Sequence, residues 1–320
     1  MARTHRWVPK KYHYTYGIAE PAVVIRPGDR VVTTTRDAGG GDEKRRPIPA
    51  SMKARRAPEV YEANPLTGPV VVEGAKPGDA LAVHIRDIQL TRSTAYSCHL
   101  PGFGAFSSGA PGLNCRLHSP PPARDWLWKL DRKKMTGTLK LTKSRVKKAT
   151  IPLDPFIGSI GVAPRYGRVE MSITPGEYGG NMDNIETRKG TTLYLPVSVD
   201  GGYLYFGDVH AAQGDGEICG VALEVSAEVS LRIDVVRQWH IDWPRMEDRT
   251  HLMTACSMKP LMDAMSLAHV ELIGWLERDY GFDRWEAYQV VSQASTTRIG
   301  NVVDPRYTVV AKFPKTCLPK

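Results

Sequence analysis

Short runs rich in β-branched residues recur through the first three quarters of the chain: Val23-Val-Ile-Arg, Arg30-Val-Val-Thr-Thr-Thr, Val70-Val-Val-Glu, Ala80-Leu-Ala-Val-His-Ile, Thr192-Leu-Tyr-Leu-Pro-Val and Gly220-Val-Ala-Leu-Glu-Val. They stand between Gly, Pro and Asp turns, the pattern of a β-sandwich or barrel. A faint internal repeat has the same sense. Pro27-Gly-Asp29 leads through Val31-Val32 to Arg36-Asp37, and Pro77-Gly-Asp79 leads through Leu81-Ala-Val83 to Arg86-Asp87. A third variant runs from Asp200-Gly-Gly202 to Gly207-Asp208. Pro fixes φ and Gly accepts positive φ, so these segments are turn chemistry first.

Near residue 242 the period changes. Leu261, Met265, Ala268, Leu272, Trp275 and Leu276 recur at helical spacing, with Gly281 where a capping glycine belongs. Asp283 reads as the N-cap of a second helix from Arg284 to about Ala294, and Tyr307-Thr-Val-Val-Ala-Lys-Phe reads as a closing strand. The expected fold is therefore mainly β or α+β, with residues 1–242 forming the β-rich region and 243–320 a helical and α+β portion packed on it.

With 320 residues, 42% of them hydrophobic, the chain can bury a sizeable core, which excludes disorder as its dominant state. No apolar run approaches the roughly 20 residues of a membrane-spanning helix. The charged start, Met1-Ala-Arg-Thr-His-Arg-Trp, has no apolar segment after it, so a cytoplasmic compartment is expected. Cys98, Cys115, Cys219, Cys256 and Cys317 are an odd set without a C-x-x-C pair, and fit buried thiols rather than a disulfide frame or a zinc finger. The net charge of +9 has its densest local source between Lys129 and Lys148. There Leu139 and Leu141 alternate with polar residues, so solvated lysines on a half-buried strand explain the charge, and no nucleic-acid partner is expected.

The segment richest in chemistry is Gly207-Asp-Val-His-Ala-Ala-Gln-Gly-Asp-Gly-Glu217. Asp208 and His210, two apart, share one face of an extended strand, and the Gly214-Asp-Gly216 turn folds Glu217 back toward them. Imidazole with carboxylates suits zinc with an open position. On spacing alone, a turn-capping Asp208 and a hydrogen-bonded core His210 is the other reading. Pro175-Gly-Glu-Tyr-Gly-Gly-Asn-Met-Asp-Asn184 is a polar, glycine-rich loop before a strand, and Thr35-Arg-Asp-Ala-Gly-Gly-Gly-Asp42 is a second such loop that lacks the phosphate-binding G-x-x-x-x-G-K-[ST] pattern.

Together with Gly68-Pro-Val-Val-Val-Glu-Gly-Ala-Lys-Pro-Gly-Asp79, Pro155-Phe-Ile-Gly-Ser-Ile-Gly-Val-Ala-Pro164, Leu195-Pro-Val and Val302-Val-Asp-Pro, these segments make the chain resemble the acetamidase/formamidase family, in particular its shorter bacterial acetamidase-like branch. The resemblance implies duplicated β-sandwich-like (jelly-roll-like) halves with a C-terminal α+β portion. It also implies a metal-associated hydrolase of short amides of the acetamide or formamide type. Carried over, Asp208 and His210 with Asp183 are expected metal ligands for zinc, or calcium. Glu217 is the expected general base, Asn181 or the Gly179-Gly180 amides the oxyanion donors, and Asp37 a further member of the site. His84 stands where relatives are expected to carry an acid, and is open between an extra ligand and a surface residue. A homo-oligomer, dimer or larger, is expected.

Two other functions stay open: a hydrolase of cyclic amides (lactams), and a non-catalytic β-sandwich binding module. Other amidase chemistries have less support. There is no G-x-S-x-G elbow, Ser107-Ser108 lacks glycine-serine-rich surroundings, and neither Cys219 nor Cys256 has a His or Lys beside it.

Overall fold

The computed structural model describes residues 2–106 and 121–319; Ser107, Ser108 and Cys115 lie outside the described residues. The runs read as strands form two main sheets. Nine strands lie side by side in the order Thr4–Arg6, Arg30–Thr34, Ala227–Val236, Ala80–Leu90, Thr192–Pro196, Arg245–Glu247, His251–Met258, Tyr307–Pro314 and Thr296–Asn301. Five more follow the order Gly179–Asn181, Phe156–Gly161, Leu204–His210, Leu66–Val72 and Val23–Ile25. Val31, Leu81, Val83, Leu193 and Leu231 of the first sheet share one core with Leu66, Val70, Ile157, Leu204 and Phe206 of the second, so the two sheets pack as a sandwich. Burial is the dominant stabilising term for such side chains, at about 1.5–3 kcal/mol each.

Asp29 and Asp79 of the repeated Pro-Gly-Asp turns face their own loops. Asp29 accepts from the N–H groups of Arg3 and Arg26, and Asp79 from those of Lys76 and Gln238. The preceding Gly28 and Gly78 have φ of 88° and 92°, which only glycine adopts without strain. These two Pro-Gly-Asp turns thus build the frame and stay out of the site.

Thr192–Pro196 pairs with Ala80–Leu90 on one edge and with Arg245–Glu247 on the other, so the large sheet runs across residue 242. The C-terminal portion extends this sheet and adds a helical layer. Helix α1, Leu261–Tyr280, ends at Gly281 in the left-handed conformation (φ 71°), and helix α2, Arg284–Ala294, is capped by Asp283, which accepts from the N–H groups of Trp285 and Glu286. Ala264, Ala268, Leu272, Trp275 and Leu276 of α1 are buried; Met265, expected on that stripe, faces outward because Ala264 takes the inner position.

A four-stranded sheet, Lys148–Pro152, Thr136–Lys140, Arg124–Asp131 and Thr94–His99, carries the basic segment, with Lys129, Lys133, Lys134, Lys140, Lys143, Lys147 and Lys148 all exposed. One run departs from expectation. Gly220 to Val225 is not a strand: Glu224 makes only isolated bridges, to Tyr96 and to His210. The chain there crosses between sheets, starting from Gly220 with φ 86°.

Candidate metal and catalytic centre

Phe156–Gly161 and Leu204–His210 pair antiparallel from Phe156↔His210 to Gly161↔Tyr205, with the ladder interrupted where Gly158 faces Asp208. At that interruption Asp208 takes φ 54° in the middle of its strand. Asp183, Glu217 and Asn64 take φ of 46°, 47° and 50°. A non-glycine residue held this way costs on the order of 1–3 kcal/mol, and such residues cluster where function over-determines the backbone. Here four meet around one spot. Gly158 is what lets them meet: a Cβ there would lie 2.8 Å from the Asp208 carbonyl oxygen and 2.9 Å from both Asp183 Oδ1 and His210 Cε1.

His210 Nε2 lies 3.4 Å from Asp208 Oδ1, 3.4 Å from Glu224 Oε1 and 3.9 Å from Asp183 Oδ1. Two donor sets, Asp183-Asp208-His210 and His210-Glu217-Glu224, each bring their ligand atoms within 4.8 Å of one another, and every member is buried. Gln213 orients the imidazole. Its Nε2 donates to the carbonyls of Asp183 and Gly300, so its Oε1 faces His210 Nδ1 at 2.8 Å and accepts the Nδ1 hydrogen. In the neutral ring the Nε2 lone pair then points at three carboxyl groups. Among the described residues, buried Asp183 Oδ1 and Asp208 Oδ1 have no hydrogen-bond partner, and neither has Glu224 Oε2, whereas Glu224 Oε1 accepts from the Ala222 N–H. Lone pairs converging on lone pairs are costly to bury, and a divalent cation among them satisfies every one. The donor set therefore fits a metal.

The outer oxygens are already held. Asp208 Oδ2 accepts from Asn64 Nδ2 at 2.8 Å and from Ser159 Oγ at 3.2 Å. Asn181 donates one Nδ2 hydrogen to Asp183 Oδ2 at 3.0 Å and the other to Asp304 Oδ2 at 2.9 Å, while its Oδ1 accepts from Asn64 and Ser159. Burial raises the Asp183 carboxyl well above its ordinary range, with the charges of Glu217, Asp304 and Asp208 adding to the effect. Burial likewise raises Asp304 and Glu224, in the latter against the pull of His210. Glu217 is pushed up to about 7 by burial, opposed by His210 and reinforced by Asp208. For His210, burial works against the charged ring, but the carboxyl groups of Glu224 and Asp208 outweigh it and hold its pKa high.

The structure brings together Asp183, Asp208, His210, Glu217 and Asn181. It places two others elsewhere. Asp37 pairs with Arg92 at 2.6 Å and accepts from the Gly41 N–H at 2.7 Å; its neighbours Ala38 and Gly39, not its carboxylate, line the cavity above the acids. His84 lies on the large sheet with Nδ1 2.9 Å from Thr192 Oγ1, apart from the cluster. Asn181 has no free hydrogen, since both are given to carboxylates, and the Gly179 N–H bonds the Gly176 carbonyl. Asn181, expected to meet an oxyanion, thus organises the acids in this arrangement, and the Gly179 amide is taken up by its own turn. Sequence reading missed Glu224, Asp304, Asn64 and Ser159. Asp304 lay in the quoted Val302-Val-Asp-Pro motif, whereas Glu224 looked like one polar residue of a strand.

A larger cleft, about 830 Å3, lies along α1 and α2 beside Met262, Val270 and Trp285; His269 and Glu277 line it, but among the described residues no set of three or more acid, thiol or imidazole groups gathers there. The acid and imidazole cluster lines a separate cavity of about 290 Å3.

Comparison with known proteins gives the family. The model of the acetamidase/formamidase family matches residues 7–170 and 166–253. A crystal structure of an acetamidase from Yersinia enterocolitica superimposes with a TM-score of 0.84 at 36% identity, covering 99% of this chain and 93% of that one. An acetamidase from Mycolicibacterium smegmatis is 27% identical over 54% of this chain and 53% of its own, and a formamidase from Methylophilus methylotrophus is 26% identical over 67% and 61%. The chain thus spans between half and two thirds of the length of these two relatives. By its family match, its fold and its relatives, this chain belongs to the acetamidase/formamidase family.

Proposed function

We propose that the chain hydrolyses the C–N bond of small linear amides of the acetamide type, giving ammonia and a carboxylic acid, with a divalent metal at Asp183, Asp208 and His210. The observation that carries this reading is the pair of unpartnered carboxylate oxygens, Asp183 Oδ1 and Asp208 Oδ1, facing His210 Nε2 at the base of the cavity, in a chain of this family. Zinc is the first choice for the ion and calcium the second, since a carboxylate-rich set also suits calcium. When bound, the ion supplies Lewis acidity toward a carbonyl oxygen and toward water.

The chain's own groups do the rest. Glu217, with a pKa near 7, exchanges its proton at neutral pH, so it can take one from water and return it to the departing nitrogen. Gln213 holds His210 with Nε2 toward the carboxylates, and Asn64, Ser159 and Asn181 fix the outer oxygens of Asp208 and Asp183. The neighbouring Glu224 adds a further carboxylate to the donor set. A cytoplasmic setting fits the free thiols of Cys98, Cys219, Cys256 and Cys317, and no helix among the described residues is long and apolar enough to cross a membrane. Self-association belongs to the same reading, supported by Met262, Val270, Trp285 and Tyr288 standing exposed together on α1 and α2. Sedimentation of the purified chain measures it.

The test is ammonia release from formamide, acetamide and a lactam panel, on protein as purified, after chelation, and after zinc is restored. Turnover that vanishes with the chelator and returns with zinc is the expected result; metal uptake without turnover of any amide would sink the reaction while leaving the site. Gly158→Ala provides a sharper check, because its Cβ would crowd Asp183 Oδ1 and His210. It is expected to weaken zinc binding by roughly 10–100-fold, the range for disturbing groups that orient metal ligands. Unchanged affinity in a calorimetric titration would contradict the assignment of this pair.

A further inference from the structure

The cavity above the acid cluster has two chemically different parts. Asp183, Asp208, His210, Glu217 and Glu224, all buried, make its floor. Tyr61, Leu100, Phe103, Ile173 and Val221 also line it, and three of these are left open to solvent, Tyr61 at 66%, Leu100 at 41% and Phe103 at 39% exposed, so they mark its mouth. Apolar side chains left exposed together around a cavity mark a binding surface rather than chance exposure. Phe103 is held in place there: its ring lies against Gly220, where an added Cβ would come within 2.2 Å of a ring carbon. The backbone beside it is tied to the Glu217 loop through the Ala105 N–H, which donates to the Ile218 carbonyl at 2.9 Å.

Size then separates two classes of amide. The cavity measures about 290 Å3. At roughly 30 Å3 per water-sized group, the four heavy atoms of acetamide take up about 120 Å3 and leave the apolar wall bare, while the nine of benzamide take up about 270 Å3. Charge narrows the choice further. No Lys or Arg is among the described residues lining the cavity and its wall is apolar, so a carboxylate carried on the acyl group is desolvated there without a cationic side chain to pair with.

We propose that the acyl part of the substrate is an uncharged apolar group of branched-aliphatic to phenyl size, seated against Leu100, Phe103, Ile173 and Val221, with acetamide at the small end of what the site accepts. This rests on the amide-hydrolase reading above and adds the substrate class to it. The reaction is unchanged: the C–N bond breaks, water supplies the hydroxyl group to the acyl carbon, and the nitrogen leaves as ammonia. Burying each added methylene against this wall is expected to raise kcat/KM about 10-fold or more, mostly through KM.

The experiment compares kcat/KM for acetamide, isobutyramide, benzamide and succinamate on zinc-supplied protein, following ammonia. Isobutyramide or benzamide is expected to exceed acetamide by at least about 10-fold, with succinamate below acetamide. Val221→Phe, which fills the wall, is expected to bring the benzamide-to-acetamide ratio down toward one; should that variant not fold, the wild-type series decides by itself. Acetamide turned over as well as or better than both larger amides overturns the inference and leaves the amidase reading standing. No ammonia from any of the four overturns both.

Discussion

Glu217→Gln is expected to lower kcat for amide hydrolysis by about 100- to 10,000-fold, the range that general acid–base groups supply, without unfolding the protein. The variant keeps the shape of the side chain and removes its capacity to accept a proton. Its effect on stability should have the opposite sign. Glu217 sits among Asp183, Asp208, Glu224 and Asp304, and its pKa is raised because burial and the Asp208 charge both oppose ionisation. A neutral amide removes that opposition, so the metal-free variant should melt no lower than the metal-free parent at pH 8. Rates from ammonia release and melting temperatures from calorimetry check the two halves separately. Full turnover by the variant would remove Glu217 from the proton-transfer role, whatever the melting data showed.

The second large effect links metal, protons and stability. Asp183, Glu217, Glu224 and Asp304 all have carboxyl groups raised above their ordinary range, chiefly by burial, so the folded chain binds those protons more tightly than the unfolded chain does. His210 is raised as well, through Glu224 and Asp208 acting against burial, and contributes with the same sign. Stability from the carboxyl groups is complete below the unfolded values, 3.8 for Asp and 4.5 for Glu, and is lost as pH rises through the folded value, about 7 for Glu217. Metal-free protein should therefore lose melting temperature between pH 5.5 and 8. A divalent cation takes the place of those protons, so zinc should raise the melting temperature more at pH 8 than at pH 5.5. At a hundredfold excess over its Kd the gain is about 2.7 kcal/mol, which calorimetry resolves easily. A zinc-induced shift of the same size at both pH values would mean that the ion binds away from these acids.

Several elements were legible from local pattern. Thr192–Pro196, Arg30–Thr34 and Tyr307–Pro314 are strands where alternation and turn residues put them. The caps at Gly281 and Asp283 stand where the helical period ends and begins again. Such signals depend on neighbours within a few residues, and turn or cap chemistry is satisfied locally. The segment from Gly207 to Glu217 was legible for a similar reason, because no strand requires so many acids for packing.

What the amino-acid order determined by itself, then, was a β-rich frame, two helices near its end and an acidic, histidine-bearing segment. Only the tertiary structure decided which groups share the site. Asn64 and Asn181 are 117 residues apart yet hydrogen-bonded, and Asp304 reaches Asn181 from 123 residues away. Glu224 enters because its segment crosses between sheets instead of pairing as the strand its composition suggested. Asp37, by contrast, was drawn off by Arg92. The left-handed backbone at Asp183, Asp208 and Glu217 could not be read in advance, since local preference opposes it and only surrounding packing imposes it. Periodicity and caps are short-range properties of a chain; convergence of buried charges is a long-range one, and it becomes visible only when the sheets have closed around it.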